Sequence, residues 1–361
     1  MNYNQISHDK TIEFCKEVFS TYGFNEKEAA EITDVLLCAD LFGIESHGIQ
    51  RLIRYHSEIG VGFVDVNAKP EIVHQTGVSA VIDAHKAMGQ IVSIEAMNLA
   101  IEKAKNTGIG IVTVRNSNHY GIAGYYTRMA ADADLMGICM TNTEAICVPT
   151  FGKQAMLGTN PIALSMPADP LNFTFDAATT VVPRGKLEVY HKNGKELPAS
   201  WTVDEFGKPT QDSGRVLKNI INKIGGGISP LGGSGEDNSG HKGYGLALIV
   251  DLFSGIFSGG MTSNHINVKP GQVDICHFFA AIDYNIFGDK KTIKDNFSKF
   301  LQELRDSNKA DGEDRIFIHG EKEAESKASK KSATIPVNDK TWQEMQDIAK
   351  ERGVEFSKYY N

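Results

Sequence analysis

Over the first sixty positions apolar residues recur at three- and four-residue spacings. "HDKTIEFCKEVFSTYG" and "NEKEAAEITDVLLCADLFG" therefore predict two amphipathic helices, with Gly23 as a stop and Asn25 as a new N-cap. A shorter helix is predicted over 47–59, before Pro70 opens the extended stretch "VDVNAKPEIV". From about residue 70 the period switches back and forth between 3.6 and two. "SAVIDAH" predicts a strand, and "GQIVSIEAMNLAIEKAKNTG" a helix stopped at Gly108. "GIGIVTVRN" is strand-like, "GIAGYYTRMAADAD" helical, and "LMGICMTN", "PIALSMP" and "FTFDAAT" strand-like again. A helix near "VVPRGKLEVYHKNG" gives way to a polar, glycine-rich stretch over 193–240. The helix predicted over 242–257 is apolar nearly all round, which predicts burial. The strand "DICHFFAAID", a lysine-rich helix near 290–308 and the solvated helix face of "EKEAESKASKKSA" complete the series.

The mixed order of elements is compatible with a nucleotide-binding sheet, yet the usual phosphate loops are missing. No G-x-G-x-x-G follows a strand and opens a helix. In "GEDNSGHKG" His241 stands where a P-loop would have lysine. Any nucleotide must be held by another device.

Composition narrows the function classes. The chain has 361 residues, of which 41% are hydrophobic and 23% charged, an ordinary globular balance. A formal net charge of −8 argues against a nucleic-acid partner, which requires a basic surface. Five scattered cysteines without a C-x-x-C pair fit free thiols in a reducing compartment. The opening residues lack a signal-peptide pattern, and the longest apolar run carries Asp251 and several glycines. Neither a secretion signal nor a membrane span is expected, and the cytoplasm is the expected location.

Three constellations can carry chemistry. In "ESHGIQRLIRYHSEIG" a continuous helix would gather His47, Arg51, Arg54, Tyr55 and Glu58 on one face. Such a face could clamp and protonate an anionic substrate, or simply be solvated. In "VRNSNHYGIAGYY" His119 sits where a strand meets a helix, as a proton carrier or a cap, with Asn116, Ser117 and Asn118 as alternative caps. In "GHKGYGLALIVDLFSG" glycines ahead of a helix leave N–H groups for an anion, with Lys242 adding charge. "FDAATTVVPRGK" adds Asp176 and two threonines for ribose hydroxyls, with Arg184 and Lys186 for phosphates; a capped helix start explains them equally well.

Together, "ADLFGIESHGIQRLIRY", "VRNSNHYGIAGYY", "LGTNPIA", "FDAATTVVPRGK", "GHKGYGLALIVDLFSG" and "CHFFAAID" resemble the type II malate/L-lactate dehydrogenase family, which also holds ureidoglycolate and sulfolactate dehydrogenases. The wording is most similar to the archaeal-type malate dehydrogenases. The resemblance implies an α+β, non-Rossmann NAD(P)-binding fold: a large, mainly antiparallel or mixed sheet flanked by helices, with a helical N-terminal region. It implies a region 1–70 that packs with C-terminal helices 290–361 and carries substrate and dimer contacts, and an NAD(P)-binding domain over 71–289. A homodimer with active sites near the subunit contact follows from the same resemblance.

Carried over by motif, the resemblance implies His119 and His47 as catalytic, with Ser46, Arg51, Tyr55 and Thr159 binding substrate. The cofactor, NAD or NADP, is implied to meet Tyr120, Thr143, Asp176, Ala177, Ala178, Thr179, Thr180, Val181, Val182, His241, Lys242, Gly320, Glu321 and Lys322. No metal is implied. The expected reaction is reversible hydride transfer between an L-2-hydroxy acid of malate or lactate type and its 2-oxo acid. His119 is expected as acid/base and Arg51 as the carboxylate clamp. A ureidoglycolate dehydrogenase or cyclic imine-acid reductase would use the same residues; a hydrolase or metabolite-binding protein is the distant alternative. Glu144 departs from the family pattern, and pointing inward it would repel a second substrate carboxylate.

Overall fold

The computed structural model describes residues 3–268, 274–330 and 334–360. Strand β1 (Tyr3–Ser7), which the helical periodicity does not announce, precedes helix α1 (His8–Ser20), whose N-cap is Ser7. Helix α2 (Glu26–Leu41) opens on a capping box: Glu28 N–H donates to Asn25 Oδ1 at 3.0 Å, and Asn25 N–H to Glu28 Oε2 at 2.9 Å. The predicted helix over 47–59 is broken. Two 3₁₀ turns, Glu45–His47 and Ile49–Arg51, precede α3 (Leu52–Gly60). The break lies at Gly48, where a Cβ would fall 1.9 Å from the Asp40 carboxylate. That carboxylate accepts the Ile49 N–H at 2.7 Å, so it holds the turn from outside.

The sheet elements follow: β2 (Glu71–Gln75), β3 (Ser79–Asp83), α4 (Gly89–Thr107), β4 (Ile109–Ser117), α5 (Ala123–Asp132), β5 (Met136–Thr141), β6 (Ile162–Met166) and β7 (Phe173–Ala177). As predicted, α4 stops at Gly108, with φ of 89°. After α6 (Arg184–Lys192), the polar, glycine-rich stretch contains β8 (Thr202–Val203), α7 (Ser213–Asn222) and β9 (Gly227–Ile228). Asp212 caps α7 in a stretch whose glycines masked the short apolar period. Helix α8 (Gly240–Asp251) runs into a π-helical turn at Leu252–Ile256, and β10 (Ile275–Ile282), α9 (Lys290–Asp306), α10 (Glu321–Lys330), β11 (Thr334–Asn338) and α11 (Asp339–Arg352) complete the chain.

Seven strands form one mixed sheet in the order β2-β3-β4-β10-β5-β6-β7, parallel at β3–β4 and antiparallel at every other pairing. Its central strand β10 is the continuous apolar run "ICHFFAAI", as burial on both faces requires. Helices α4 and α5 cover one face, packing Val92, Met97 and Tyr126 against Val112, Val114 and Phe279. A second core joins α1–α3 to β11 and α11, with Phe14, Phe19, Leu36 and Tyr55 against Ile335 and Ile348. β1 and β11 pair antiparallel beside it.

The helix expected to be buried is not buried on all sides. Leu248, Ile249, Leu252, Ile256 and Phe257 are exposed, between 42% and 56%. The small residues Gly243, Ala247 and Gly255 face the protein instead. A Cβ at Gly243 would lie 2.3 Å from the Leu231 carbonyl oxygen. Close approach by small residues turns the bulky ones outward.

Candidate active site

The break at Gly48 directs His47 and Arg51 toward the end of β4. Ser46 Oγ lies 2.9 Å from His47 Nδ1, and Arg51 Nε donates to the Ser46 carbonyl at 2.6 Å. No protein acceptor meets the terminal nitrogens of Arg51 among the described residues, which suits a guanidinium fork for a carboxylate. Arg54, one turn into α3, is paired with Glu58 at 2.7 Å.

His119 follows β4 in the loop before α5. Its ring stacks on His47, with centroids 5.6 Å apart and an interplanar angle of 22°. Its Nδ1 lies 2.8 Å from the hydroxyl of Tyr55. Tyr55 is only 1% exposed, so its hydroxyl is committed to His119 and the side chain does not reach a substrate. The neighbours of His119 are not helix caps. Asn118 donates to the carbonyls of Lys86 and Ala87, Ser117 Oγ meets His277 Nε2 at 2.9 Å, and Asn116 binds Asp83. α5 itself begins after Ile122 without a side-chain cap. The first residue of α4 completes the seat: a Cβ at Gly89 would fall 2.6 Å from the carbonyl oxygens of both Asn118 and His119.

Both histidines are half-buried, crowded by protein yet partly reachable from solvent, the setting of a cleft wall. Burial, then Arg51 and Arg54, push the His47 imidazole down to about 4. Burial, then Arg54 and His47, hold His119 well below the ordinary histidine range. Both rings are thus neutral at pH 7 and able to accept a proton. Asp40, beneath the 3₁₀ turns, is pushed up to about 7 by burial, against the Ile49 hydrogen bond that lowers it.

His277 and Asp40, to which sequence alone assigns no role, complete the support together with Tyr120. His277, buried in β10, accepts or donates at both nitrogens, to Ser117 Oγ and to Thr141 Oγ1 at 2.8 Å. Tyr120 stacks between His277 and Tyr126, at 4.5 and 4.9 Å. Tyr120 is 2% exposed and its hydroxyl meets Cys139 Sγ, so its side chain is packing and does not reach a cofactor. The only sequence signal for His277 is its place in the quoted motif "CHFFAAID". Asp40 carried none beyond "ADLFG".

The implied cofactor residues line β7 and its two ends. Asp176 Oδ2 accepts the Gly124 N–H at 2.7 Å, and no protein group meets Oδ1 among the described residues. Asp176 is exposed yet densely surrounded, as on a cleft floor; burial, with Glu323 adding to it, raises its carboxyl to about 6 against the Gly124 bond. Ala177 and Ala178 continue the strand. Both threonines turn inward: Thr179 Oγ1 donates to the Asn160 carbonyl at 3.0 Å and Thr180 Oγ1 to the Val182 carbonyl at 3.0 Å. Their hydroxyls are taken by backbone, leaving Asp176 as the open acceptor on this strand. Val181 N–H donates to Ser229, and both Val181 and Val182 pack on the core around Leu187.

Thr143 and Thr159 bind each other, Thr159 N–H donating to Thr143 Oγ1 at 2.9 Å. Beneath them the buried Asp251 carboxylate accepts from Asn142, Asn160 and Ser263. At the start of α8, His241 and Lys242 are exposed. At the start of α10, Gly320 lies against Thr174, where a Cβ would meet the Thr174 nitrogen at 3.2 Å. The Glu321 carboxylate is already taken by Arg305 at 2.6 Å and Arg315 at 2.9 Å, and Lys322 Nζ lies over the Phe317 ring. Glu144 is held by Lys223 at 3.3 Å and by Asn267, so its charge is offset. Arg184 pairs with Glu188 at 3.1 Å, and both charges act on Arg51, which places the start of α6 beside the histidine pair. No cluster of three or more metal-ligating side chains occurs among the described residues, and no described helix is long and apolar enough to cross a membrane.

Comparison with known proteins shows the family. Residues 6–346 match the family model for malate/L-lactate dehydrogenase. The malate dehydrogenase of Pyrococcus abyssi is 44% identical over 98% of this chain and 96% of that protein. The L-sulfolactate dehydrogenase of Methanocaldococcus jannaschii is 36% identical over 95% and 96%. The crystal structure of malate dehydrogenase from Entamoeba histolytica superposes with a TM-score of 0.93 at 36% identity, covering 98% of this chain and 99% of that one. A stacked histidine pair with an arginine fork, set on this sheet and matched along nearly the whole chain, leads to one conclusion: the protein belongs to the malate/L-lactate dehydrogenase family.

Proposed function

We propose that the chain interconverts an L-2-hydroxy acid bearing a second anionic group with its 2-oxo acid, using His119 as acid/base. The oxidoreductase chemistry between hydroxy acid and oxo acid follows from the family; the substrate class and the residue roles are the proposal. The observation that carries it is the stacked His47–His119 pair beside Arg51, with Tyr55 fixing the far nitrogen of His119. A base whose other nitrogen is held by a buried hydroxyl has the orientation that proton transfer requires.

Arg51 grips the C1 carboxylate with its two terminal nitrogens. His119 Nε2, free of protein partners among the described residues, takes the hydroxyl proton in oxidation and returns it in reduction. His47, held by Ser46, hydrogen-bonds the same oxygen as charge develops on it. NAD or NADP, when bound, supplies the hydride acceptor and donor. Asp176, with one open carboxylate oxygen beside a glycine-made gap at Gly124, suits a ribose hydroxyl there, without a G-x-G-x-x-G loop. With Glu144 offset by Lys223, its carboxylate does not oppose a second anionic group on the substrate. Names of relatives, malate and sulfolactate dehydrogenases, support that class.

The exposed apolar side of α8 supports a homodimer, since a second copy would cover it. The test is absorbance at 340 nm with NADH and NADPH against oxaloacetate, sulfopyruvate and pyruvate, repeated for His119→Ala. The dianionic acids are expected to be turned over faster than pyruvate, and His119→Ala to lose about 10²–10⁴ in kcat. Near wild-type turnover in His119→Ala overturns the acid/base assignment, and a preference for pyruvate overturns the substrate class.

A further inference from the structure

Helix α8 ends on Asp251, whose carboxylate is buried and has no cation partner among the described residues. Burying an unpaired charge is costly unless hydrogen bonds replace its water. Here the hydrogen bonds come two to each oxygen. Oδ1 accepts from Asn142 Nδ2 at 3.1 Å and from the Ser263 N–H at 2.9 Å. Oδ2 accepts from Asn160 Nδ2 at 2.9 Å and from Ser263 Oγ at 2.8 Å. Asn142, Asn160 and Ser263 are themselves buried. The helix changes form where it meets them. Its π-helical turn starts at the next residue, Leu252, and a Cβ at Gly255 would lie 3.2 Å from Asn142 Nδ2. Such turns are rare in helices and frequent at functional sites.

The far ends of the two asparagines hold backbone. Asn160 Oδ1 accepts the Thr143 N–H at 3.2 Å, and Asn142 Oδ1 the Cys276 N–H at 2.9 Å. Asn160 itself lies in the left-handed region, with φ of 41°. Its neighbourhood is tight: a Cβ at Gly158 would fall 2.2 Å from Thr143 Oγ1 and 2.5 Å from Asn160 Oδ1. A strained backbone persists where its surroundings impose it, and Asp251 supplies that constraint. The outcome is a half-buried pair, Thr143 and Thr159, with hydroxyls 3.3 Å apart. The pair adjoins the residues that follow β7, since the Thr179 N–H donates to the Thr159 carbonyl at 2.9 Å. Thr143 Oγ1 already accepts the Thr159 N–H. The Thr159 hydroxyl has no partner except Thr143 Oγ1 among the described residues, so it is the donor of the pair that a ligand can engage.

We propose that Asp251 is a positioning residue for the reaction: through Asn160 it sets the Thr159 hydroxyl against the bound oxo acid. The proposal rests on the dehydrogenase reading above. It goes beyond that reading by placing control of substrate affinity on a buried carboxylate at the end of α8, beneath the site.

Steady-state kinetics and melting temperatures of Asp251→Asn, Ser263→Ala and Thr159→Val test it. Ser263→Ala is the milder change, because it deletes the Oγ donor and leaves the backbone N–H on the carboxylate. The KM for oxaloacetate is expected to rise about tenfold in Asp251→Asn and about threefold in Ser263→Ala, with kcat within about threefold of wild type. Thr159→Val should raise KM about tenfold, and adding Ser263→Ala to it should raise KM no further, since residues that act through one hydroxyl are not additive. A carboxylate that only holds the fold together would lower the melting temperature and leave KM unchanged. That result, or additive effects of Ser263→Ala and Thr159→Val, overturns the proposal. If Asp251→Asn does not fold, the cycle of Ser263→Ala with Thr159→Val decides alone. Failure of the dehydrogenase reading shows separately, as absence of NAD(P)H oxidation by the wild-type protein with every oxo acid.

Discussion

At the residue scale the site depends on how two imidazoles are held rather than on their being present. Tyr55 donates to, or accepts from, the inner nitrogen of His119, and burial keeps both rings neutral. Tyr55→Phe removes that partner and little volume. Its kcat should fall about tenfold while the KM for oxo acid changes less, because the ring is misoriented and the arginine fork is intact. Steady-state kinetics check this split; an unchanged kcat would show that Tyr55 does not position the base. The depressed histidines also fix a pH dependence. Oxidation needs the neutral ring, and His47 titrates near 4 with His119 well below its ordinary value. The kcat/KM for oxidation of L-lactate should therefore stay level from pH 8 down to about 5.5. A limb centred near 6.5, the ordinary histidine value, would contradict it.

At the element scale, glycines set where the elements meet the site. Gly89 lets the first turn of α4 rest on the carbonyls of Asn118 and His119, and Gly48 lets Asp40 close the 3₁₀ turns that carry His47. Gly89→Ala must move one of two backbones by several tenths of an ångström. It is expected to cut kcat at least tenfold and to lower stability by about 1–3 kcal/mol, the usual cost of overpacking. Thermal melts together with initial rates measure both. These contacts explain what the sequence reveals and what it conceals. The capping box at Asn25 and the αL stop at Gly108 are local and could be read directly. The break in the helix over 47–59 depends on Asp40, eight positions upstream of Gly48, and helical spacing alone carries no sign of it. Tyr55 is likewise a solvent-facing member of an ideal helix in sequence, but lies in the core because the real helix starts at Leu52.

At the scale of the whole molecule, the strand and helix order was largely legible because β10 and its neighbours follow simple periods. The outward side of α8 was not. A helix apolar all round looks the same in sequence whether its own chain or another copy covers it. With Leu248, Ile249 and Phe257 exposed, light scattering is expected to give twice the 39.5 kDa chain mass. Leu248→Asp combined with Ile249→Asp should shift the protein toward the monomer. A wild-type monomer at micromolar concentration would rule out this face as a subunit contact. The cofactor device was half legible: the missing glycine loop said what the protein does not use, while the inward turn of Thr179 and Thr180 needed coordinates.

The ribbon between β1 and β11 has a consequence for synthesis. The core that holds α1, α2 and α3, and with them His47, Arg51 and Tyr55, is completed by residues 335–360. During translation these helices emerge first and must wait for the last strand and helix before that core can close. At about 5–20 residues per second the wait is roughly 15–60 s. Phe14, Phe19 and Leu36 remain uncovered for that time, a natural target for chaperones that work at the ribosome. The helices that carry His47 and Arg51 are therefore born early and assembled last.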